Sequence, residues 1–247
     1  MADGMTPPDH DAANSVLGPI SHKVTQLLQQ HTAYDMLPVS SRLVVFDSSM
    51  QLTSGLSLLL QNGIDCAPIW DSTRNAYVGV LTVTDILCLI QYYYSNCTYS
   101  EAMEEIGKIQ LSSFQGLHQK ITAKSPNTLH VHPMSTLYEA CRILLNSDYC
   151  HLALVDLDTY SRQDSVVGML SLYTVLRFIA KNIKDKRLLR EPLSQLNIGT
   201  YQEISTATMS TRVIEVIQVF VEKGISVVPI LDEDGQVINV FEDADIM

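Results

Sequence analysis

The sequence predicts a mixed α/β protein built from tandem repeats. A short apolar phrase that ends in an acidic residue occurs three times, each copy follows an amphipathic helix, and each leads through a polar turn into a second strand and another helix. The acidic ends, Asp71, Asp156 and Asp232, lie 85 and 76 residues apart. A recurring unit of that size indicates a structural module.

The helix before each phrase is predicted from apolar residues at helical spacing. These residues are Leu52, Leu56, Leu59 and Leu60 in the first copy, Leu137, Cys141, Leu144 and Leu145 in the second, and Val213, Ile217, Phe220 and Val221 in the third. Asn62-Gly63 and Lys223-Gly224 are typical helix ends. Thr136 and Glu139 are spaced as a capping box at the second helix.

The strands are short apolar runs bounded by turn formers. They are Ala67 to Trp70, Leu152 to Val155 and Val227 to Leu231. The alternative is three unrelated helix-strand units of an ordinary α/β sheet, in which the phrases would agree only by chance.

Composition limits the functional classes. With 247 residues and 46% hydrophobic content, the chain can bury a sizeable core. We expect no membrane span and no signal peptide. A net charge of −11 argues against a nucleic-acid partner. The five cysteines form no Cys-x-x-Cys pair, so we expect free thiols in a reducing compartment, and we expect no metal site.

The phrase from Gly79 to Asp85, Gly-Val-Leu-Thr-Val-Thr-Asp, resembles the signature of CBS domains. Further phrases resemble the gamma, energy-sensing subunit of the AMP-activated protein kinase, particularly its fungal branch. They are Tyr34 to Pro38, Arg42 to Asp47, Ala67 to Ser72 and Ile198 to Tyr201. The resemblance covers residues 23 to 247.

The resemblance implies β-α-β-β-α modules that pair into a Bateman-type disc with two clefts. It implies AMP, ADP or ATP as regulatory ligands, no tightly bound cofactor, catalytic (alpha) and scaffold (beta) kinase subunits as partners, and a cytoplasmic and nuclear location. The expected segments are a disordered arm at 1–22, module 1 at 23–97, a helical linker at 98–123, module 2 at 124–185, a linker at 186–199 and an incomplete module 3 at 200–247. The family has four modules, so we expect a truncated sequence that lacks the fourth.

Asp85 is the best candidate for a ribose ligand. A carboxylate at a helix N-terminus is favoured by the helix dipole, and its two oxygens can accept both ribose hydroxyls. The alternative is a plain N-cap for the helix from Ile86 to Asn96. The predicted nucleotide-binding residues, several of them implied by the resemblance, are Asp85, Thr82, Val80, Leu129, His130, His151, Thr200, Ser205, Ser226, Val227, Val240 and Asp245.

The phosphate side departs from the family. Where animal gamma subunits carry basic residues, this chain has Asp65, Asp148, Cys150, His151 and Thr174. Thr174 replaces the ribose aspartate of the second copy, whereas the third copy keeps Asp245. We therefore expect weak, altered or partly lost nucleotide sites.

An apolar segment of Arg42, Leu43, Val44, Val45 and Phe46 precedes the first helix. At a sheet edge it would be a template for a strand of the beta subunit. An internal strand of module 1 is the compatible alternative.

No catalytic constellation is found. The predicted function is a non-catalytic regulatory subunit of a heterotrimeric Ser/Thr protein kinase that senses adenine nucleotides. The alternatives are a structural adaptor that has lost nucleotide sensing, and a regulatory module of another enzyme or channel.

Overall fold

Three small sheets with one shared topology carry the repeat. The computed structural model describes residues 21–38, 42–122, 127–147, 149–158, 163–183, 199 and 201–246. In every sheet the first strand is parallel to the central second strand, which pairs antiparallel with the third. The predicted α/β repeat is therefore confirmed.

Module 1 is described together with the helical segment predicted as a linker at 98–123, because both helices of that segment pack on its core. Its elements are β1 (Phe46–Asp47), α2 (Leu52–Asn62), β2 (Cys66–Asp71), β3 (Ala76–Thr82), α3 (Val83–Asn96), α4 (Tyr99–Ile106) and α5 (Leu111–Thr122). Helix α2 ends at Gly63, whose φ of 59° is the left-handed cap that the Asn-Gly pair predicts.

Modules 2 and 3 repeat the same order. The elements of module 2 are β4 (His130–Val131), α6 (Leu137–Leu145), β5 (His151–Asp158), β6 (Gln163–Ser171) and α7 (Leu172–Asn182). Those of module 3 are β7 (Ala207–Thr208), α8 (Val213–Lys223), β8 (Val227–Leu231), β9 (Val237–Glu242) and a 3-10 helix (Asp243–Ile246).

A register irregularity recurs at the same place in each central hairpin. It falls at Ile69/Trp70 in module 1, Leu154/Val155 in module 2 and Ile230/Leu231 in module 3. A bulge bends and twists the strand that carries it. Its recurrence shows that the three copies share backbone geometry as well as sequence.

The first described helix, α1 (residues 21–30), packs on module 2 rather than module 1. Leu28 lies in the core of module 2, and the Leu137 N–H donates to the His31 carbonyl at 2.8 Å. Sequence order had placed residues 21 and 22 in a disordered arm and the following residues in module 1. Residues 21 and 22 are instead helical, because the apolar face of α1 finds its partner in module 2.

Modules 1 and 2 pair through their sheets. The Tyr77 N–H on β3 donates to the Asp164 carboxylate on β6 at 3.0 Å, and the Tyr77 hydroxyl donates to the Leu129 carbonyl at 3.2 Å. A cleft lies beside this contact, between the segment before β1 and the β5–β6 hairpin.

Module 3 contacts module 1 through helices. Val83 and Leu87 of α3 are buried against Val216, Ile217 and Phe220 of α8. The hairpin of module 3 is more open: Val227 and Val240 are 44% and 43% exposed, whereas Ile230 is half-buried.

In the described part of the chain, every helix is too short or too polar to cross a membrane.

Candidate functional site

The first cleft, cleft A, is an open space of about 360 Å³ between modules 1 and 2. Module 1 contributes the segment before β1 and the turn before β2, and module 2 contributes the start of β5 and the end of β6. Its principal lining residues are Arg42, Val44, Asp65, Cys66, His151 and Ser171. The mixture of apolar walls and a few polar groups is typical of small-molecule sites.

The charges in cleft A are mixed. Arg42 is an exposed cation on one wall, and Asp65 faces the same space. Burial lowers the pKa of His151, and the negative charge of Asp65 opposes that shift. His151 is therefore a weak cation at neutral pH, which leaves Arg42 as the permanent positive charge among the described residues that line the cleft.

Cys66 lines cleft A with a half-buried thiol of low reactivity. Burial raises the pKa of its thiol to about 12, and the nearby carboxylates of Asp65 and Asp85 add to the shift. Thiolate reactivity requires deprotonation, so this cysteine does not serve as a nucleophile near neutral pH.

Thr174 is the third residue of α7, the position that Asp85 has in α3 of the first repeat. Ser171 caps α7 by accepting from the Thr174 N–H at 3.2 Å, and the Ser171 N–H donates to the Thr174 hydroxyl at 3.0 Å. The N-terminus of α7, next to cleft A, therefore carries two hydroxyl groups, those of Ser171 and Thr174. The N-terminus of α3 carries a hydroxyl and the carboxylate of Asp85 instead.

The second cleft, cleft B, is related to cleft A by the pairing of the modules. We use this name for the region around Val80 and Thr82 at the end of β3 and Asp85 on α3, where the Val80 N–H donates to the Asn127 carbonyl of module 2. Of the five residues predicted for the first site, Thr82 and Asp85 are in direct contact, and Leu129 and His130 each contact Tyr77 of β3. Their role as nucleotide ligands stays a prediction.

Asp85 in cleft B is buried and held on both oxygens. Its Oδ2 accepts from the Thr82 N–H and hydroxyl, each at 2.8 Å, and its Oδ1 lies 3.1 Å from His118 Nε2. Burial raises the pKa of Asp85, while His118 and the Thr82 hydrogen bonds oppose that shift. The alternative prediction, that Asp85 is the N-cap of this helix, is wrong. Thr82 is the N-cap of α3, and Asp85 is the N3 residue of the capping box.

The predicted residues of module 3 lie on a separate surface. Ser226, Val227, Val240 and Asp245 are exposed, and Ser205 is half-buried. Thr200 lies outside the described residues. Asp245 Oδ2 accepts from the Glu242 N–H at 2.9 Å, which is the same cap contact that Asp85 makes with Thr82.

The predicted edge strand is shorter than the sequence suggested. Within residues 42–46, only Phe46 belongs to a strand; it is fully buried and pairs in parallel with Ile69 of β2. The preceding residues, Arg42 to Val44, line cleft A instead. β1 is an edge strand of its sheet, so partner binding at this edge stays a prediction.

Two residues were missed. Arg42 was assigned only to partner binding, because its place in cleft A depends on the fold. His118 was not among the residues predicted for a site. Its spacing from Leu111 and Phe114 puts it on the buried face of α5, and a buried polar group needs a partner.

Paired β-α-β-β-α modules with clefts between them define a CBS-type protein, and the CBS domain model matches residues 33–92 and 201–247. The 5'-AMP-activated protein kinase subunit gamma of Saccharomyces cerevisiae is 38% identical over 224 residues, which cover 91% of this chain and 69% of that protein. The namesake protein of Kluyveromyces lactis is 38% identical over 89% of this chain and 66% of its own length. The chain belongs to the family of AMP-activated protein kinase gamma subunits, as the sequence predicted, and spans about two thirds of these yeast relatives.

A solved structure supports the fold. A Methanocaldococcus jannaschii protein, described as a candidate archaeal homologue of the kinase gamma subunit, matches with a TM-score of 0.68 over 87% of this chain and 70% of its own. At 14% identity the match concerns the fold alone.

Proposed function

We propose that the protein is a non-catalytic regulatory subunit of a heterotrimeric Ser/Thr protein kinase and that it binds adenine nucleotides in cleft A. The open cleft between modules 1 and 2 carries the proposal, because it combines the space, the apolar walls and one permanent cation that a small nucleotide requires. The proposed partners are a catalytic alpha and a scaffold beta subunit, and membership in a family of kinase gamma subunits supports a role within a kinase complex. A cytoplasmic and nuclear location belongs to the same proposal.

The chemistry of cleft A favours AMP over ATP. Arg42 can pair with one phosphate group, and the hydroxyls of Ser171 and Thr174 can bond a ribose without a full charge. Asp65 repels additional phosphate charge. Asp243 of module 3 adds to this repulsion, because it lies close enough to Asp65 for their charges to interact.

Regulation would follow from a difference in affinity. A nucleotide that binds one arrangement of the kinase complex more tightly shifts the complex toward that arrangement by the difference in binding free energy. No chemistry on the nucleotide is needed for this role.

The test is a calorimetric titration of the whole chain with AMP and with ATP. Arg42→Ala should weaken AMP binding by about 10- to 150-fold, since a charge-assisted hydrogen bond contributes about 1.5–3 kcal/mol. Arg74→Ala is the matched control, because Arg74 lies in the β2–β3 turn and pairs with Asp71 at 3.6 Å. The absence of heat at millimolar AMP, or equal losses in both variants, would contradict the proposal.

A structural adaptor is the second candidate. It is favoured by the engaged carboxylate of Asp85 and by the acidic groups near cleft A. An adaptor would co-purify with the alpha and beta subunits yet bind neither nucleotide, whereas failure to co-purify with a beta subunit would count against both candidates.

A further inference from the structure

We propose that helix α5 is an internal competitor for the nucleoside position of cleft B. The imidazole of His118 pairs with the carboxylate of Asp85, which would otherwise be available to the hydroxyls of a ribose. A nucleotide can therefore bind in cleft B only when the part of α5 that carries His118 moves away. The inference rests on the proposed function and adds that the two clefts of one module pair are regulated differently.

The hydrogen-bonding capacity of Asp85 is nearly exhausted. An ionised carboxylate offers about four acceptor positions. Thr82 uses two on Oδ2, and His118 uses one on Oδ1. A ribose presents two adjacent hydroxyls, and only one position remains, on a residue that is 6% exposed.

The neighbouring slot is closed as well. The Val80 N–H donates to the Asn127 carbonyl at 3.0 Å. This backbone N–H is therefore not available to hydrogen-bond the edge of an adenine. The side chain of Gln115 on α5 donates to the Val78 carbonyl at 2.7 Å and covers Gly79 so closely that a methyl group there would collide with it.

Helix α5 packs on the core of module 1 along its length, with Leu117 and Ile121 of its second half partly buried against that core. Leu111 and Phe114 lie in the core of module 1 and are at most 2% exposed. The contacts that close cleft B, those of Gln115 and His118, come from the following turns. Withdrawal therefore requires the second half of α5 to give up the partial burial of Leu117 and Ile121 while Leu111 and Phe114 stay packed.

The equivalent positions elsewhere lack this closure. Asp245 makes the same cap bond as Asp85 through Oδ2, but it is exposed. In cleft A, the residue equivalent to Gly79 is Gly168, where a methyl group would likewise collide with a side chain, that of Leu37, yet the cleft beside it stays open with a volume of about 360 Å³. The closure of cleft B thus comes from α5 and not from the repeat itself.

The expected size of the effect follows from competition. The apparent affinity of a ligand falls in proportion to the fraction of molecules whose site is open. Removing a buried, charge-assisted hydrogen bond should raise that fraction, and so the affinity for AMP, by about 10-fold or more.

The experiment is a calorimetric AMP titration of the whole chain and of His118→Ala. We expect the variant to bind one additional AMP per chain, or to bind AMP in cleft B about 10-fold more tightly. Adding Asp85→Ala to His118→Ala should abolish the gain. His132→Ala is the matched control, because His132 Nε2 lies the same 3.1 Å from an aspartate, Asp156, at an exposed site outside the clefts.

Gln115→Ala provides a second variant if His118→Ala does not fold, as judged by circular dichroism. It should produce a smaller gain of about 3-fold, because it removes one neutral hydrogen bond. A folded Gln115→Ala protein with unchanged AMP binding overturns the competition in that case.

The outcomes separate the two proposals. AMP binding that is lost in Arg42→Ala and unchanged in His118→Ala overturns the competition but leaves the proposed function standing. Binding that appears only in His118→Ala supports the competition and contradicts cleft A as the nucleotide site. Absence of binding in the wild type and in folded His118→Ala overturns both.

Discussion

Thr82 and Asp85 form a capping box that is buried, whereas Thr98 and Glu101 form the same arrangement at the exposed start of α4. Both threonines accept from the backbone N–H three residues later. The two boxes therefore differ mainly in their surroundings.

Thr98→Ala should destabilise the protein by about 1 kcal/mol, the usual cost of losing an N-cap. Thr82→Ala should cost about 2–3 kcal/mol, because it also leaves a buried carboxylate with one donor fewer. Urea unfolding of both variants measures the difference. Equal losses would show that burial does not strengthen the box around Asp85.

The thiols of the chain should differ sharply in reactivity. Burial raises the pKa of Cys66 and of Cys141, and Cys88 is buried, whereas Cys150 is exposed. Brief alkylation with iodoacetamide at pH 8, followed by peptide mass spectrometry, should label Cys150 and spare Cys66. Rapid labelling of Cys66 in the folded protein would contradict a half-buried thiol whose pKa is raised.

At the scale of elements, helix α5 offers a test of close packing. Gly79→Ala on β3 should cost about 1–3 kcal/mol, because the new methyl group meets Gln115 and the Asn127 carbonyl. Gly116→Ala on α5 is the matched change: it has open space around it and lies within a helix, so it should stabilise by about 0.5–1 kcal/mol.

Thermal unfolding of the two glycine variants gives opposite signs if α5 packs on β3 as described. A neutral Gly79→Ala variant would mean that α5 moves aside at little cost. In that event AMP affinity in cleft B should not depend on Gln115 either.

Much of the element pattern was predictable, because it depends on local sequence. The apolar spacing and the Gly caps of α2 and α8 predicted those helices and their ends. The packing of α1 on module 2 was not, because its partners lie about 100 residues further along the chain and contacts of that range leave no local pattern.

The site was predictable in part. The sequence identified Asp85 and its neighbours, because the Gly-to-Asp phrase is contiguous. It did not identify His118 as the partner of Asp85 or Arg42 as a wall of cleft A, because each comes close to its neighbours only after the modules have paired.

At the scale of the whole molecule, modules 1 and 3 make contact through one face of α3. The corresponding face of α7 in module 2 is exposed at Leu176. Leu87 of α3 is 1% exposed against α8, and Leu176, at the equivalent position five residues after the N-cap of α7, is 63% exposed. Pseudo-equivalent residues therefore contribute very differently to stability.

Leu87→Ala should destabilise the chain by about 2–5 kcal/mol, the range for leucine truncation in a core. Leu176→Ala should change stability by less than about 0.5 kcal/mol. Denaturant unfolding followed by circular dichroism compares them. A small loss for Leu87→Ala would indicate that module 3 does not dock on α3 in solution.

The packing of α1 on module 2 also bears on how the chain is made. Helix α1 is synthesised before the elements of module 2 that it packs against, of which β4 and α6 follow about 100 residues later, a delay of roughly 5–20 s at ordinary rates of synthesis. During that interval its apolar face has no native partner. Slow translation before residue 137 should therefore increase the association of the nascent chain with chaperones, and removing α1 should lower that association.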